Sequence, residues 1–226
     1  MSTLDPHACR LRVRYKKDGR LAHLGHLEVM GTVMRSVRRA GLPFEVSNGF
    51  ARRMRIQFCQ ALPVGASSVA EYFDLLMPEP VNADEALDEL RRCTPPSLAP
   101  LEAALLPRRL PALEAWADRT QWDVLLDGSV DKQQFVDGLE AALARGTLEF
   151  MRGDKPRKLD LVSTLVSCDA SASEEGLRLV LQTRATERGS LRPAVLVRSV
   201  AGCEPSYVCR MGQWHENPDG TLLSPL

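Results

Sequence analysis

Residues 10–17 read Arg-Leu-Arg-Val-Arg-Tyr-Lys-Lys, a stretch in which apolar side chains alternate with basic ones. This period of two is typical of a half-buried β-strand, so it predicts a strand over residues 9–15 with Leu11, Val13 and Tyr15 facing a core. The remaining side chains would form one solvent-facing basic row, made of Arg10, Arg12, Arg14 and Lys16. A strand edge protected by basic residues explains this row, and so does a surface that binds an anion.

The uneven distribution of charge along the chain favours the second explanation. The 226 residues hold 29 basic and 29 acidic side chains, so the whole chain is formally neutral. Residues 1–60 hold 12 basic and 4 acidic side chains, a net charge of +8, and the remainder carries −8. This asymmetry predicts that the N-terminal part contacts nucleic acid, a phosphate-bearing ligand or an acidic protein, or that the two parts complement each other.

Composition and residue spacing argue against several classes of protein. The chain has no run of about 18 apolar residues, and its N-terminus lacks the apolar core of a signal peptide, so we expect a cytoplasmic protein without membrane contact. The six cysteines form no CxxC pair and the four histidines no HxxxH pattern. We therefore expect no metal and no cluster on this chain. The phosphate-loop and nucleophile-elbow motifs are also absent from the sequence.

The order of predicted elements indicates the fold class. In the first half, periodicity and turn residues predict the order strand, helix, strand, strand, helix, strand, which is that of a ferredoxin-like unit. These elements span residues 9–15, 26–40, 54–62, 70–77, 83–92 and 98–106. Helix 26–40 is predicted to bury one apolar stripe, formed by Leu27, Met30, Met34 and Val37.

A second part with a similar order follows the proline-containing segment 107–111. Its predicted elements are an extended segment at 116–126, a helix at 131–145, a strand at 148–151, a basic loop at 152–158, strands at 160–167 and 177–183, a helix at 193–200 and a strand at 207–211, with a loose tail after Gly212. The expected fold is therefore α+β, with two ferredoxin-like (βαββαβ) units and mainly antiparallel sheets. The N-terminal unit would span residues 1–108 and carry the basic face, and the C-terminal unit would span 109–226.

The predicted RNA- or phosphate-binding side chains lie on the first strand and in two loops. They are Arg10, Arg12, Arg14, Lys16, Arg52, Arg53, Arg55, Lys155, Arg157 and Lys158. An antiparallel sheet can leave one face open, and we expect Arg12 and Arg14 to lie on such a face, with strand 54–62 next to strand 9–15. Because aromatic residues make up only 5% of the chain, contacts to the RNA backbone are favoured over base stacking.

Two side chains at the start of helix 26–40, His26 and Glu28, are the candidates for catalysis. A glutamate and a histidine can carry out acid–base chemistry together, although no nucleophile or metal set accompanies them in the sequence. Alternatively, His26 fixes the loop before the helix, and Glu28 is favoured in the first turn by the helix dipole.

Several short motifs resemble the radical SAM-linked protein family, a bacterial domain of unknown function. They are Gly19–Glu28 (GRLAHLGHLE), Arg38–Pro43 (RRAGLP), Ser47–Phe50 (SNGF), Leu62–Gly65 (LPVG) and Glu71–Asp74 (EYFD). Lys158–Leu161 and Arg192–Pro193 resemble later family elements, so the likeness covers most of residues 9–211. The chain departs from the family pattern at Gly25, where serine is usual, and at Ala51–Met54, which replaces an Asn-Pro-x-Pro loop and is more basic.

The resemblance implies a domain fused to, or encoded beside, radical SAM enzymes with a cobalamin-type module, often near genes for ribosomal proteins and ribonucleases. It thereby implies a non-catalytic accessory protein that binds RNA or presents substrate during modification of RNA or a ribosomal component. Because the chain lacks CxxxCxxC, we expect it to bind no cofactor itself. The radical SAM enzyme, with its iron–sulfur cluster, S-adenosylmethionine and cobalamin, would be a separate polypeptide.

Two other functions stay open at this point. The first is a stand-alone enzyme that acts on RNA or on a phosphorylated small molecule, with His26 as acid or base. The second is a protein-interaction module whose basic face docks an acidic partner.

Overall fold

The computed structural model describes residues 9–226, and of Arg152 the backbone only. These residues divide into two units, the first comprising the described residues up to Ala117 together with Ser224–Leu226, and the second Asp118–Leu223. Both units are mixed α/β with antiparallel strand pairing, which confirms the expected combination of helices and mainly antiparallel sheet. Residues 1–8, the start of the predicted N-terminal domain, lie outside the described residues. The predicted boundary after residue 108 stays a prediction.

The first unit builds its sheet around the strand that opens the sequence. Its elements are β1 (Cys9–Lys17), α1 (His26–Arg39), β2 (Ile56–Phe58), β3 (Ser67–Met77), α2 (Ala83–Cys93), β4 (Pro100–Pro107) and α3 (Leu113–Trp116). β1 pairs with β3 on one side and with β4 on the other, both antiparallel. Leu75 of β3 is opposite Leu11 of β1 and also opposite Ile56 of β2, so β3 lies between β1 and β2. The expectation that strand 54–62 lies beside strand 9–15 is therefore wrong.

One face of this sheet packs against α1 and α2. Leu11, Val13 and Tyr15 lie in the core as predicted, together with apolar residues of β3 and of both helices. The predicted stripe of α1 is wrong in part, because Leu27 is exposed. The helix instead buries Val29, Val33, Ser36 and Val37, a set spaced at i, i+4, i+7 and i+8 that faces the sheet.

The second unit contains the longer set of elements. They are β5 (Arg119–Leu126), α4 (Lys132–Arg145), β6 (Thr147–Arg152), β7 (Lys155–Asp160), α5 (Leu161–Thr164), β8 (Leu165–Ser173), β9 (Gly176–Arg184), α6 (Pro193–Ala201), β10 (Tyr207–Glu216) and β11 (Leu222–Leu223). The sheet order is β10-β5-β9-β8, with β11 paired to β10, whereas β6 and β7 form a separate hairpin. Asp131 caps α4, since its Oδ1 accepts a hydrogen bond from the Gln134 amide at 2.9 Å.

The predicted basic loop at 152–158 is wrong, because most of it is strand β7. Gly153 and Asp154 form a two-residue turn in which Gly153 has φ +60°, and Arg152 is paired with Lys155 across it. Glycine adopts this left-handed conformation without the steric cost that a Cβ would impose. The basic side chains of this segment therefore lie on a hairpin.

Two further elements of the second unit differ from expectation. The predicted strand 160–167 starts five residues later, because Asp160 accepts a hydrogen bond from the Ser163 amide at 3.0 Å and caps the short helix α5. The tail after Gly212 is not loose, since β10 continues to Glu216 and pairs with β11. Within residues 9–226, no helix combines the length and apolar character needed to cross a membrane.

Candidate functional site

The basic row of β1 does not form one exposed surface. Arg10 and Arg12 are each only 5% exposed, and Asp74, directly opposite Arg12 on β3, is fully buried. Arg12 donates to Asp74 from Nε at 2.7 Å and from Nη2 at 2.9 Å, and Arg10 Nη1 donates to the same carboxylate at 2.8 Å. The expectation that Arg12 faces solvent in one row with Arg10 is therefore wrong.

The physical reason is that this face of the first sheet is covered. Arg10 Nη2 donates to the carbonyl oxygens of Arg108 and Leu110, the latter at 3.1 Å, and Arg12 Nη1 donates to that of Pro225 at 3.0 Å. The same face carries an apolar cluster of Cys59, Ala70, Tyr72, Leu113 and Ala117, with Trp116 and Leu226 packed against it. Ala70 and Tyr72 belong to β3, and the cluster joins them to residues of the segments that cover the sheet. A buried guanidinium is tolerated when it is paired and hydrogen-bonded, and Asp74 together with these carbonyls supplies most of the acceptors; among the described residues Arg10 Nε has none.

The other basic residues predicted on or near β1 are accessible but already paired. Arg14 lies 3.1 Å from Glu102, and Lys16 lies 2.8 Å from Asp18. The hydrogen bond from Lys16 lowers the pKa of the Asp18 carboxyl below its ordinary value. Arg55 lies 3.0 Å from Glu45, whose carboxylate also binds Arg108. An acid partner reduces the positive charge that each of these side chains offers to a phosphate.

The turn formed by residues 47–53 of the first unit presents two arginines that have no such partner within residues 9–226. Ser47 closes the turn, since its amide donates to the Arg53 carbonyl at 2.8 Å and its Oγ accepts from the Arg53 amide at 3.1 Å. At the tip, Phe50 is fully exposed, and Arg52 and Arg53 are exposed beside it. Within residues 9–226, neither guanidinium lies within ion-pair distance of a carboxylate. The turn therefore combines an accessible aromatic ring with two accessible cations.

The hairpin of β6 and β7 in the second unit carries a half-buried aromatic ring, an exposed methionine and exposed cations. Its base is fixed by the cross-strand pair Leu148 and Leu159, which are both buried. Further out, Phe150 lies opposite Arg157, and Met151 is 58% exposed. Lys155, Arg157 and Lys158 are exposed, and of these Lys158 has a carboxylate neighbour, Glu149 at 3.7 Å. A shallow concave surface lies among these residues on the hairpin.

Phe50, Phe150 and Met151 were not predicted as site residues. The signals in the sequence are a large apolar residue at a turn, as in Asn48-Gly49-Phe50, and the Gly153-Asp154 hairpin pair. Phe50 and Met151 are exposed, and exposed apolar side chains grouped with cations at a turn indicate a contact surface better than scattered ones do.

The two candidates for acid–base chemistry have structural roles. Glu28 Oε2 accepts a hydrogen bond from the Gly25 amide at 2.7 Å, so it closes the start of α1. The His26 ring packs edge-on against Phe58, with ring centroids 5.9 Å apart and an interplanar angle of 85°. These contacts account for both residues through packing and capping, and their catalytic use stays a prediction.

The thiols of the chain also have structural environments. All six cysteines are free. Burial raises the pKa of the Cys168 thiol to about 12 and raises that of Cys9 above its ordinary value, so both are protonated at neutral pH. Among the described residues, no three His, Cys, Asp or Glu side chains come together as a metal-binding group. That the chain binds no metal or cofactor stays a prediction.

Fold and site together define a mixed α/β protein with two exposed basic turns, each carrying a large apolar side chain. The chain belongs to the bacterial family described as "Uncharacterized protein conserved in bacteria (DUF2344)", whose model matches residues 10–193. No curated protein matches the sequence.

Two solved structures are similar to the chain at low sequence identity. A chain of the "Crystal Structure of a Cbf5-Nop10-Gar1 Complex" is 11% identical, with a TM-score of 0.45 over 92% of this chain and 50% of that chain. This protein therefore spans half the length of that chain. The "Crystal Structure of an Unknown Protein from Galdieria sulphuraria" is 9% identical, with a TM-score of 0.25 over 78% of this chain and 80% of that chain.

Proposed function

We propose that this protein is a non-catalytic RNA-binding protein that presents RNA to a separate radical SAM enzyme during modification of RNA or of a ribosomal component. One observation carries the RNA part: the fully exposed Phe50 shares a turn with the exposed guanidinium groups of Arg52 and Arg53, which have no carboxylate partner within residues 9–226. An exposed ring offers a stacking face to a base of any sequence, and neighbouring arginines bind the phosphates on either side.

The hairpin of β6 and β7 supports the same function in the second unit. Phe150 and Met151 provide apolar surface, and Lys155, Arg157 and Lys158 provide charge. The proposed contacts therefore shift from the buried arginines of β1 to two turns, and they include base stacking as well as backbone contacts.

We also propose that both units are ferredoxin-like. The first unit supports this with the element order β-α-β-β-α-β and with β1 between β3 and β4. In the second unit, β5, α4, β8, β9, α6 and β10 follow the same order, and the sheet order β10-β5-β9-β8 corresponds to it. The hairpin of β6 and β7 is then an insertion between α4 and β8, so it extends beyond the shared framework.

The catalytic partner in this proposal is inferred from the motif resemblance to the radical SAM-linked family. The structural roles of Glu28 and His26, and the protonated state of the Cys168 thiol, support a chain that does not itself catalyse. The chemistry would then belong to the separate enzyme, and this protein would supply the bound RNA.

Binding of a labelled single-stranded RNA of about 12 nucleotides, followed by fluorescence anisotropy, tests the RNA part of the proposal. Replacing Phe50 with alanine should weaken binding about 5- to 150-fold, since one base–aromatic stack contributes about 1–3 kcal/mol. Phe50→Trp should preserve it, because tryptophan also stacks. Leu27→Ala is the matched control, as Leu27 is another exposed apolar side chain of the first unit. Equal affinities for the wild type and Phe50→Ala would contradict the proposal.

A further inference from the structure

The sheet of the second unit ends at a long strand with one side open. β8 has nine residues and pairs with β9, and within residues 9–226 it has no second neighbouring strand. Asp169, Ser171, Ala172 and Ser173 are exposed on it. Alternate amide and carbonyl groups of such a strand point away from the sheet and are available to another extended chain.

The edge strand of the first unit, β4, is protected against the addition of another strand. β4 begins at Pro100 and ends at Pro107. Arg91 covers its first two carbonyl oxygens, donating to that of Pro100 at 3.2 Å and to that of Leu101 at 2.8 Å. β8 contains no proline, lysine or arginine, and Asp169 is its one charged residue. Prolines and cations are the usual protection against strand addition, and β8 lacks both.

The side chains of β8 and of the residues that flank it in the sequence indicate the chemistry of an added strand. Residues 160–176 contain four acidic side chains and no lysine or arginine; the acids are Asp160, Asp169, Glu174 and Glu175. Exposed apolar side chains flank the start of the strand, namely Val166 on β8 and Val162 on α5. Val162 extends this apolar surface towards the end of α4, where it lies beside Gly146.

We propose that the edge of β8 binds an extended segment of a partner protein, one that alternates apolar and basic residues, by β-strand addition. Main-chain hydrogen bonds to β8 would provide affinity, and the four acids of residues 160–176 would select a basic segment, since the neighbouring cation Arg178, opposite Ser171 on β9, is already paired with Asp123. A second copy of this chain fits less well, because its β8 would bring four further acids against these four. This proposal is independent of RNA binding, since it concerns another surface and another class of partner.

Hydrogen exchange with a synthetic peptide tests the proposal on the full chain. The probe is a peptide of alternating lysine and valine, nine residues long like β8. It should slow amide exchange in residues 165–173 and leave β4 unchanged. A glutamate–valine peptide of the same length should bind more weakly. A backbone N-methylated lysine–valine peptide should not bind, because it lacks the amide donors that pair with the strand.

Charge reversal on the edge locates the site. Asp169→Lys should weaken binding of the lysine–valine peptide about 2- to 30-fold, because a favourable cross-strand charge contact becomes a repulsive one. Glu102→Lys is the matched control, since Glu102 is an exposed acid on the protected edge strand β4. Three results would overturn the proposal. Both unmethylated peptides could slow amide exchange in β8 equally, or exchange there could slow when the protein alone is concentrated. The third is an equal effect of Asp169→Lys and Glu102→Lys on binding of the lysine–valine peptide.

Discussion

Arg12 binds the carboxylate of Asp74 through two hydrogen bonds, of 2.7 Å from Nε and 2.9 Å from Nη2, where both side chains are buried in the first unit. Arg10 adds a third hydrogen bond to the same carboxylate. The two guanidinium groups then reach the main chain of the segments that cover the sheet. The arginines of β1 thus hold the covering segments against the sheet through hydrogen bonds to their carbonyl oxygens.

Replacing Asp74 with asparagine should destabilise the first unit by about 3–5 kcal/mol, because two buried guanidinium groups lose their counter-charge while staying out of water. Denaturant unfolding followed by circular dichroism measures this free energy. Asp88→Asn is the matched control, since Asp88 is exposed and pairs with Arg91. It should change stability by less than about 1 kcal/mol. A similar small effect at both positions would show that the buried carboxylate is dispensable.

The sequence predicts β1 correctly but not which side of it meets water. Alternation places Arg12 on the face opposite Leu11 and Val13, whatever covers that face. The cover includes Pro225, which lies 213 positions further along the chain and carries no local signal for this contact. A usable signal was Asp74 itself, a carboxylate within the run Ala70–Met77, because a buried carboxylate requires a cationic partner.

The candidate site was predictable in charge but not in shape. Arg52, Arg53 and the basic residues of 155–158 are conspicuous in the sequence, and the structure places them on turns. Phe50 is exposed in a turn whose ends Ser47 joins, whereas a single aromatic residue in a sequence is more often part of a core. The sequence predicts part of β6 as the strand 148–151 but makes β7 a loop, because its basic residues and Pro156 are unusual in strands, although Gly153-Asp154 is a hairpin signal.

The hairpin is expected to be anchored at its base and free beyond it. Leu148→Ala should cost about 2–5 kcal/mol of stability, because Leu148 is buried at the base. Met151→Ala should change stability by less than about 0.5 kcal/mol, because Met151 is exposed, yet it should weaken RNA binding. Unfolding and RNA-binding measurements on the same two variants distinguish the anchor from the contact surface. A Met151 variant that unfolds as readily as the Leu148 variant would contradict this arrangement.

The second unit should lose stability in acid through Glu216. Arg119, at 2.7 Å, and Arg184, at 2.6 Å, lower the pKa of the Glu216 carboxyl below its ordinary value of 4.5. A carboxyl whose pKa is lowered by folding stabilises the protein fully above its unfolded pKa, and that contribution disappears as the pH falls through the folded pKa.

Glu216→Gln should therefore be less stable than the wild type at neutral pH, and the difference should shrink as the pH falls below 4.5. Unfolding free energies of both proteins across this pH range measure the effect. Glu149→Gln is the control, because the contact between Glu149 and Lys158 is exposed and 3.7 Å long. A stability difference between the wild type and Glu216→Gln that stays constant with pH would contradict the ion-pair explanation.

The salt dependence of RNA affinity tests the central claim, that the two basic turns bind RNA phosphates. Each phosphate contact on a single strand contributes about 0.7 to the slope of log affinity against log salt. Arg52→Gln with Arg53→Gln should therefore bind more weakly, with a slope that is shallower by about 1.4. Arg38→Gln with Arg39→Gln removes the same charge from two exposed side chains at the end of α1 and should keep the wild-type slope. Equal slopes for all three proteins, or a loss confined to the α1 pair, would contradict the account.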